Sequence, residues 1–316
     1  QFAWSCGPAI IFILSLVMSF IIPGFESDGT TLLPAGTYGP FDGMLATRLL
    51  FLVLFIVALI AWNLQRQLQE SADWAEKNAS ATEKQSFGKM MATALKNPVN
   101  VKTIIFLVAV YLTWNLAAGT NGQFMPYLYA AAGNIDATGQ SLLGVVQWVL
   151  VAVCSLAIFS RFGDIVSHRV LFGASALLAL LSWVAIAVFG LAIQSGDTES
   201  MGWVLWVYVI LWGISAGFSA QCFYALWGTE LFPTQYRGGA QGIMFFLVRG
   251  ALGIWSLVGV GAIMGDISTN PAGFFPAAVI MCVVLLISLV VGVIWCPKTQ
   301  GKTLDQITEE RYGKIE

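Results

Sequence analysis

The sequence predicts an all-α integral membrane protein with eight transmembrane helices, and three observations predict it. Hydrophobic residues make up 58% of the 316 residues, against roughly 45–50% in ordinary soluble domains. Charged residues make up 10%, against about 25% in such domains. The apolar residues come in stretches of about 20, the length that crosses a bilayer as a helix. A soluble fold cannot hide that much apolar surface, so lipid must surround these stretches.

The eight stretches are separated by loops that alternate in charge. We predict spans near residues 1–22, 44–62, 102–130, 139–160, 169–193, 201–228, 240–264 and 273–296. Of the 15 Lys and Arg, 13 lie in or directly beside the loops at 63–101, 161–168, 229–239 and 297–316. The four other loops contain no Lys or Arg and hold seven acids. The positive-inside rule therefore places the basic loops and the C-terminus in the cytoplasm.

The loop at 63–101 is the longest of the basic loops, and it separates two spans from six. Such a loop commonly joins two six-helix halves of a transporter. We therefore interpret 1–62 as the last two helices of an N-terminal bundle and 63–101 as a cytoplasmic central loop. Residues 102–296 are then a complete C-terminal six-helix bundle and 297–316 a cytoplasmic tail. The spans would be helices 5–12 of a twelve-helix protein, with four helices expected before them.

Composition and motifs argue against several other classes of protein. A net charge of -2 gives no signal for nucleic acid as a partner. The five cysteines are scattered through the spans and the single histidine, His168, cannot build a metal site alone, so we expect no metal and no cofactor. No paired intramembrane acids, H-E-x-x-H or G-x-S-x-G motif is present, which gives no support for an enzyme.

Two short motifs lie in the basic loops. The stretch Glu230–Arg237 reads E-L-F-P-T-Q-Y-R, in which Pro233 is expected to end a helix because it lacks an amide donor. Glu230 and Arg237 flank this turn and could pair across it. The second motif, P-K-T-Q-G-K-T-L, occupies Pro297–Leu304 after the last span.

These motifs resemble those of the sugar porter family of the major facilitator superfamily. The first resembles the family's E-x-F-P-x-x-x-R, and the second resembles P-E-T-K-G-K-T-L with Lys298 in place of the Glu. The loop that begins Ser160-Arg161 resembles D-R-x-G-R-R with Ser160 in place of the Asp. The resemblance implies that Arg161, Glu230 and Arg237 belong to a charge network that closes the inner gate. The alternative is that they only cap helices and set topology.

The span at 102–130 is unusually polar at its centre. Its segment W-N-L-A-A-G-T-N-G-Q contains four amide or hydroxyl side chains, those of Asn115, Thr120, Asn121 and Gln123. Two glycines and the following Pro126 predict a broken helix that faces a cavity. Amides suit polyols because each supplies donors and an acceptor. The alternative is hydrogen bonding between helices, and Thr120 could equally bond its own backbone.

The resemblance also assigns substrate contacts residue by residue. The family's seventh helix reads Q-Q-x-x-G-x-N, and Asn115 and Asn121 fall on its first Q and its N. Contact with substrate is therefore expected first of Asn121 and next of Asn115. Gln1 begins a Q-F-A that the family also has in helix 5, which suggests a sugar-contacting amide. Gln147 lies mid-span in helix 8, where substrate contact and simple packing are equally expected.

Helices 10 and 11 contribute three further candidates. Tyr224 and Trp227 are three residues apart and share a helix face. Ala225 takes the position of the family's helix-10 Trp, so Tyr224 or Trp227 could replace that aromatic platform, or simply pack. Arg249 lies about twelve residues, or roughly 18 Å, into its helix from Arg237. A charge at that depth is expected to face a cavity or to pair internally.

The resulting prediction is a multi-pass plasma-membrane (bacterial inner-membrane) carrier of a sugar or polyol such as myo-inositol. The resemblance implies alternating access and proton symport, with the substrate, the bilayer and protons as partners. The family's coupling acid lies in helix 1, outside these eight spans. The alternative is a major facilitator exporter of a drug or other small metabolite, for which Cys6-Gly7-Pro8 is a partial match to the exporters' G-x-x-x-G-P.

Overall fold

The computed structural model describes residues 2–21, 43–67, 87–131, 135, 137–196, 201–263, 265 and 271–313, and every regular element within them is a helix. The all-α prediction is therefore confirmed. The main helices are α1 (Phe2–Ile21), α2 (Gly43–Arg66), α3 (Phe87–Lys96), α4 (Pro98–Ala131), α5 (Ala137–Cys154), α6 (His168–Ser195), α7 (Trp203–Gly217), α8 (Ala220–Glu230), α9 (Thr234–Ile254), α10 (Phe274–Ile294) and α11 (Leu304–Tyr312).

The chain divides into two compact units. One unit comprises Gln1–Ile10 and Thr93–Glu316, and the other comprises Ile11–Ala92. In the second unit, the side chains of α2 from Phe51 to Arg66 are nearly all exposed although most are apolar. An apolar helix with so much exposed surface suits a lipid environment.

Within the described residues, six helical spans are long and apolar enough to cross a membrane, and all six belong to the first unit. They are Pro98–Tyr129, Gly139–Phe162, His168–Ser195, Trp203–Glu230, Tyr236–Ile263 and Phe274–Ile294. These are the six C-terminal spans that the sequence predicts. The first begins at Pro98 and not near residue 102, because Pro is well tolerated in the first turn of a helix.

Helix α4 is at the centre of this six-span unit. It packs against α8, α9 and α10, and α10 in turn packs against α6. Helix α6 also contacts α7, which packs against α5. Large side chains on α4, including Leu107, Tyr111 and Leu128, are fully buried in the common hydrophobic core. Polar residues on α4 therefore have several neighbouring helices as sources of partners.

The break predicted around Pro126 is not observed, since α4 continues through it to Ala131. Proline removes the amide that would donate to the carbonyl four residues earlier, here Gly122. Gly122 and Pro126 are both exposed. The helix therefore tolerates this proline although the Gly122 carbonyl loses its backbone donor.

The helices are irregular at three other places. The span Trp203–Glu230 is interrupted at Phe218–Ser219, between α7 and α8. A π-helical segment, Ser155–Phe159, continues α5. A second one, Trp255–Gly259, continues α9 and leads into a short helix, Val260–Ile263. Single π-helical turns are frequent at functional sites.

Two glycines on α7 set the approach of α5. A Cβ added at Gly213 would lie 2.9 Å from the Leu150 Cβ and 3.0 Å from the Gln147 carbonyl oxygen. One added at Gly217 would lie 2.5 Å from the Cys154 Cβ and 2.9 Å from the Ser155 nitrogen. Small residues four apart allow helix backbones to approach closely in membranes. The G-I-S-A-G stretch therefore fixes the α5–α7 contact.

We expect Gly217→Ala to destabilise the protein by about 1–3 kcal/mol, because the new methyl group overpacks a rigid backbone contact. The measurement is thermal unfolding of the full chain in detergent. Gly253→Ala is the matched control, since its Cβ would meet no atom within 4 Å. An equal melting temperature for the Gly217 variant and the control would show that the α5–α7 contact does not require a glycine at this position.

Candidate functional site

The polar residues predicted at the centre of the first C-terminal span all lie on α4, and three of the four are buried. Asn115, Thr120 and Asn121 have exposed fractions of 3%, 0% and 4%, whereas Gln123 is exposed. Buried polar groups in an apolar setting need partners. Those partners come from α7 and from the π-helical segment that follows α9.

Asn121 is held by a tyrosine from α7. The hydroxyl of Tyr208 donates to Asn121 Oδ1 at 2.5 Å. Tyr208 is itself fully buried, with the Trp183 ring packed edge-on against it at 5.9 Å. This bond fixes the amide with its oxygen towards Tyr208. The other end of the amide is the Asn121 NH2 group, a pair of hydrogen-bond donors.

The π-helical segment after α9 supplies partners for the two other polar residues. The Trp255 indole N–H donates to Thr120 Oγ1 at 2.9 Å, and the Ser256 hydroxyl donates to Gln123 Oε1 at 2.6 Å. The Thr120 hydroxyl also donates to the Leu116 carbonyl at 2.8 Å, the backbone bond that the sequence allowed. The extra residue in a π-helical turn changes the direction in which side chains point from the helix. Here the adjacent residues Trp255 and Ser256 both reach α4.

Asn115 and Gln147 are also buried, and no such partner reaches the amide nitrogen of Asn115: its Nδ2 atom has no hydrogen-bond acceptor among the described residues. Gln147 is 5% exposed, and its backbone carbonyl faces Gly213 at the α5–α7 contact. A buried amide without a partner costs about 1–3 kcal/mol. Gln1, the other amide predicted from the sequence, lies outside the described residues.

A column of stacked aromatic rings connects this polar cluster to α8. Tyr208 stacks on Trp212 and Trp212 on Trp114, with centroids 6.3 Å and 6.0 Å apart. Trp114 then stacks on Tyr111 at 6.2 Å, and Tyr111 on Tyr224 at 4.3 Å. All four interplanar angles are 18° or less. Tyr224 is thus a packed member of this column, with its hydroxyl 3.4 Å from the Gln241 carbonyl.

Trp227 packs in the core and does not face a cavity. It is 0% exposed, and its ring lies against three phenylalanines, Phe106, Phe172 and Phe223. Its indole N–H donates to His168 Nδ1 at 3.4 Å. This position corresponds to the packing alternative for Trp227 and leaves no surface of the ring for a solute.

Arg249 is exposed on α9, and its guanidinium lies over the Phe245 ring at 4.9 Å from the centroid. It is also close enough to the Tyr111 hydroxyl to interact with it electrostatically. No carboxylate among the described residues pairs with it. The Arg249 charge therefore lies beside the aromatic column. One helical turn further along α9, the Leu252 side chain packs so closely on α4 that only a glycine fits at Gly119.

The charged residues predicted to form a gate lie around the ends of α5, α8 and α9. Helix α8 ends at Glu230 and α9 begins at Thr234, so Pro233 separates the two helices as predicted. Glu230 Oε2 and Arg237 Nε are buried without hydrogen-bond partners among the described residues, and the expected pairing of these two side chains is not observed. Arg161 is exposed. We call this end of the unit the basic end.

Helix α11 packs at the basic end and contacts two other helices. The Tyr312 hydroxyl lies 2.6 Å from Asn100 Oδ1 on α4 and 3.0 Å from the Leu231 carbonyl after α8. Arg311 donates to the Thr103 hydroxyl on α4. Burial raises the pKa of Tyr312, while the adjacent Arg311 charge lowers it by a smaller amount.

Sequence reasoning missed Tyr208, Trp255 and Ser256. Tyr208 lies in a uniformly apolar stretch of α7, where an isolated Tyr carries little signal. Trp255 and Ser256 depend on the π-helical segment, which no residue pattern marks by itself. Gly259 is the one hint, because a Cβ there would overlap the Trp255 ring.

The chain is similar to known carriers. The family model described as "Sugar (and other) transporter" matches residues 57–310. The minor myo-inositol transporter IolF of Bacillus subtilis (strain 168) is 34% identical over 318 residues, covering 99% of this chain. The chain spans 64% of that relative's length. No solved structure matches the chain.

The matched region includes all six spans of the first unit and both motifs of the basic loops. Together with the helical architecture, the match places the chain in the sugar transporter family, the sugar porters of the major facilitator superfamily, as a multi-pass membrane protein.

Proposed function

We propose that the protein carries a sugar or polyol resembling myo-inositol across the membrane by alternating access, in symport with protons. The observation that supports this proposal is the cluster of amides and hydroxyls on α4, joined to Tyr208, Trp255 and Ser256. Polar side chains in the middle of apolar spans cost free energy, and where they occur they usually have a function. The protein's relative in Bacillus subtilis is named as a myo-inositol transporter.

The chemistry of the cluster fits a molecule with many hydroxyl groups. A polyol hydroxyl is both donor and acceptor. The cluster offers the NH2 groups of Asn121 and Gln123, whose amide oxygens are already bonded, beside the exposed residue Gly122. Trp255 provides an aromatic face next to these groups. Nothing in the cluster carries charge, which favours a neutral solute. Arg249, one to two turns away, adds a donor that binds hydroxyl oxygens without needing a carboxylate.

Two half-buried charged side chains at the basic end support a conformational cycle. Glu230 Oε2 and Arg237 Nε are buried atoms without partners among the described residues, and a buried polar atom without a partner costs free energy. A second arrangement of the carrier that supplies partners to both groups would offset this cost. We propose that this arrangement closes the basic end, which is cytoplasmic in our assignment, with Arg161 in the same network.

Proton coupling requires an acid outside the six C-terminal spans. Glu230 is the single Asp or Glu within those spans, and it lies at the last residue of its helix. The polyol cluster has no carboxylate through which a proton could act. We therefore propose that the coupling acid belongs to the other half of the carrier and acts on this cluster through the substrate.

Uptake of labelled myo-inositol by the full chain in liposomes tests the proposed function. We expect accumulation above equilibrium when an inward proton gradient is imposed, and only equilibration without it. Glucose and xylose serve as competitors. Saturable uptake that does not respond to the gradient would contradict proton symport. No uptake of any sugar or polyol would contradict the proposed substrate and favour a drug or metabolite exporter.

Tyr208→Phe should raise KM for the substrate by about threefold to tenfold, because the loss of one hydrogen bond frees the Asn121 amide to rotate. Tyr129→Phe is the matched control, since the Tyr129 hydroxyl is buried without a partner among the described residues. In an Asn121→Ala background, the Tyr208 change should have no further effect on KM. Equal effects of Tyr208→Phe in both backgrounds would show that Tyr208 acts only through packing.

Arg237→Gln should slow transport roughly tenfold while leaving the equilibrium Kd of the substrate unchanged, because a charged hydrogen bond of the closed state is lost. Substrate exchange and binding are measured on the same preparation. Lys96→Gln is the control, as Lys96 is an exposed cation on α3. Unchanged transport, or a loss of binding equal to the loss of transport, would overturn the gating role.

A further inference from the structure

A cleft with a volume of about 420 Å³ opens at the basic end, apart from the polar cluster on α4. One wall is formed by Ser167–Arg169, at the start of α6, and the other by the chain from Cys296 to Lys302, after α10. Three of the lining residues are cations, and none is an acid. The Gln300 side chain donates to the carbonyls of Asp164 at 2.8 Å and Val166 at 3.1 Å, which fixes the two walls to each other.

Two of the three cations have no counter-ion among the residues that the structure describes. The Lys302 ammonium pairs with the Glu310 carboxylate, with its closer oxygen at 2.5 Å. Neither Arg169 nor Lys298 pairs with a carboxylate among the described residues, and both side chains are exposed. Arg169 also lies near enough to the buried thiol of Cys296 to act on its charge: burial raises the pKa of Cys296 to about 11, and Arg169 opposes this increase.

The cleft is also lined by N–H donors at the start of α6. The Ser167 side chain caps α6 by accepting from the Val170 amide, while the first amides of the helix have no partner within it. His168 is 5% exposed and lines the cleft. Its Nδ1 accepts from Trp227, so the neutral imidazole carries its proton on Nε2. This Nε2–H is a donor on a residue that lines the cleft.

We infer that this cleft binds a phosphate group, held between Arg169 and Lys298 and capped by the start of α6 with His168. Arginine matches phosphate oxygens with two parallel N–H groups, lysine adds a point charge, and a helix N-terminus favours an anion. The sequence motif agrees with this. Where the resembling family has Glu and Lys, this chain has Lys298 and Gln300, so the wall becomes more positive by one charge.

A phospholipid headgroup and a soluble phosphate ester share this chemistry. The position favours the lipid, because Ile294 and Trp295, 58% and 63% exposed, directly precede Cys296. An exposed Trp at the end of an apolar helix is typical of the membrane–water interface, where headgroups lie. The inference does not depend on what solute the protein carries.

Native mass spectrometry of the full chain tests this site by counting bound lipid during titration with phosphatidylglycerol, with phosphatidylcholine and inorganic phosphate in parallel. We expect Lys298→Glu and Arg169→Gln each to weaken phosphatidylglycerol binding roughly tenfold, and higher salt to weaken it further. Lys102→Gln, an exposed cation on α4 outside the cleft, is the control.

Selective binding of phosphatidylglycerol that both cleft variants weaken would establish a headgroup site. Competition by inorganic phosphate that the same variants abolish would establish a soluble phosphate site. Binding that Lys102→Gln weakens as much as the cleft variants, or no binding of either phosphate source, would overturn the inference. A loss of transport with intact lipid binding would concern only the proposed carrier function.

Discussion

The need to satisfy polar groups on one central helix determines much of this structure. Helix α4 carries Asn115, Thr120, Asn121 and Gln123 between apolar turns, and lipid offers none of them a partner. Thr120, Asn121 and Gln123 find partners on neighbouring helical segments, whereas Asn115 Nδ2 has none among the described residues. Tyr208 on α7 and Trp255 beyond α9 each direct a hydroxyl or an N–H towards α4. Because both partners are side chains on packed helices, the site is a property of the bundle and not of a loop.

Close glycine contacts and stacked aromatic rings hold the partners of α4 in place. Gly213 and Gly217 allow α7 to lie against α5, and the stacked rings from Tyr208 to Tyr224 join α7 and α8 to α4. Each stacked pair adds about 0.5–1.5 kcal/mol beyond the area that it buries. Large flat rings also resist rearrangement because they fill dense space. The column therefore holds Tyr208 in the position from which it orients Asn121.

The fold was largely predictable from the sequence, and the site was predictable only in part. Span length and the alternation of charged loops depend on the bilayer alone, so all six C-terminal helices were found. The residues of α4 were found because a polar residue within an apolar run is conspicuous. Tyr208 and Trp255 were not, since their roles arise from neighbours distant in sequence. The prediction of a break at Pro126 was wrong because a single proline removes only one backbone hydrogen bond, and α4 continues through that loss.

The centre and the basic end of the unit differ in the charged groups that they contain, and this difference is what the proposed carrier function requires. Among the described residues, the centre contains no carboxylate, so the proposed neutral polyol would bind and leave without having to break an ion pair. In the same part of the chain, the basic end leaves Glu230 and Arg237 with unsatisfied buried atoms, and Arg169 and Lys298 pair with no acid. Groups without partners in one arrangement favour any second arrangement that supplies them. In the proposed carrier, charge at this end would set the balance between conformations, while the uncharged cluster on α4 would set which solute binds.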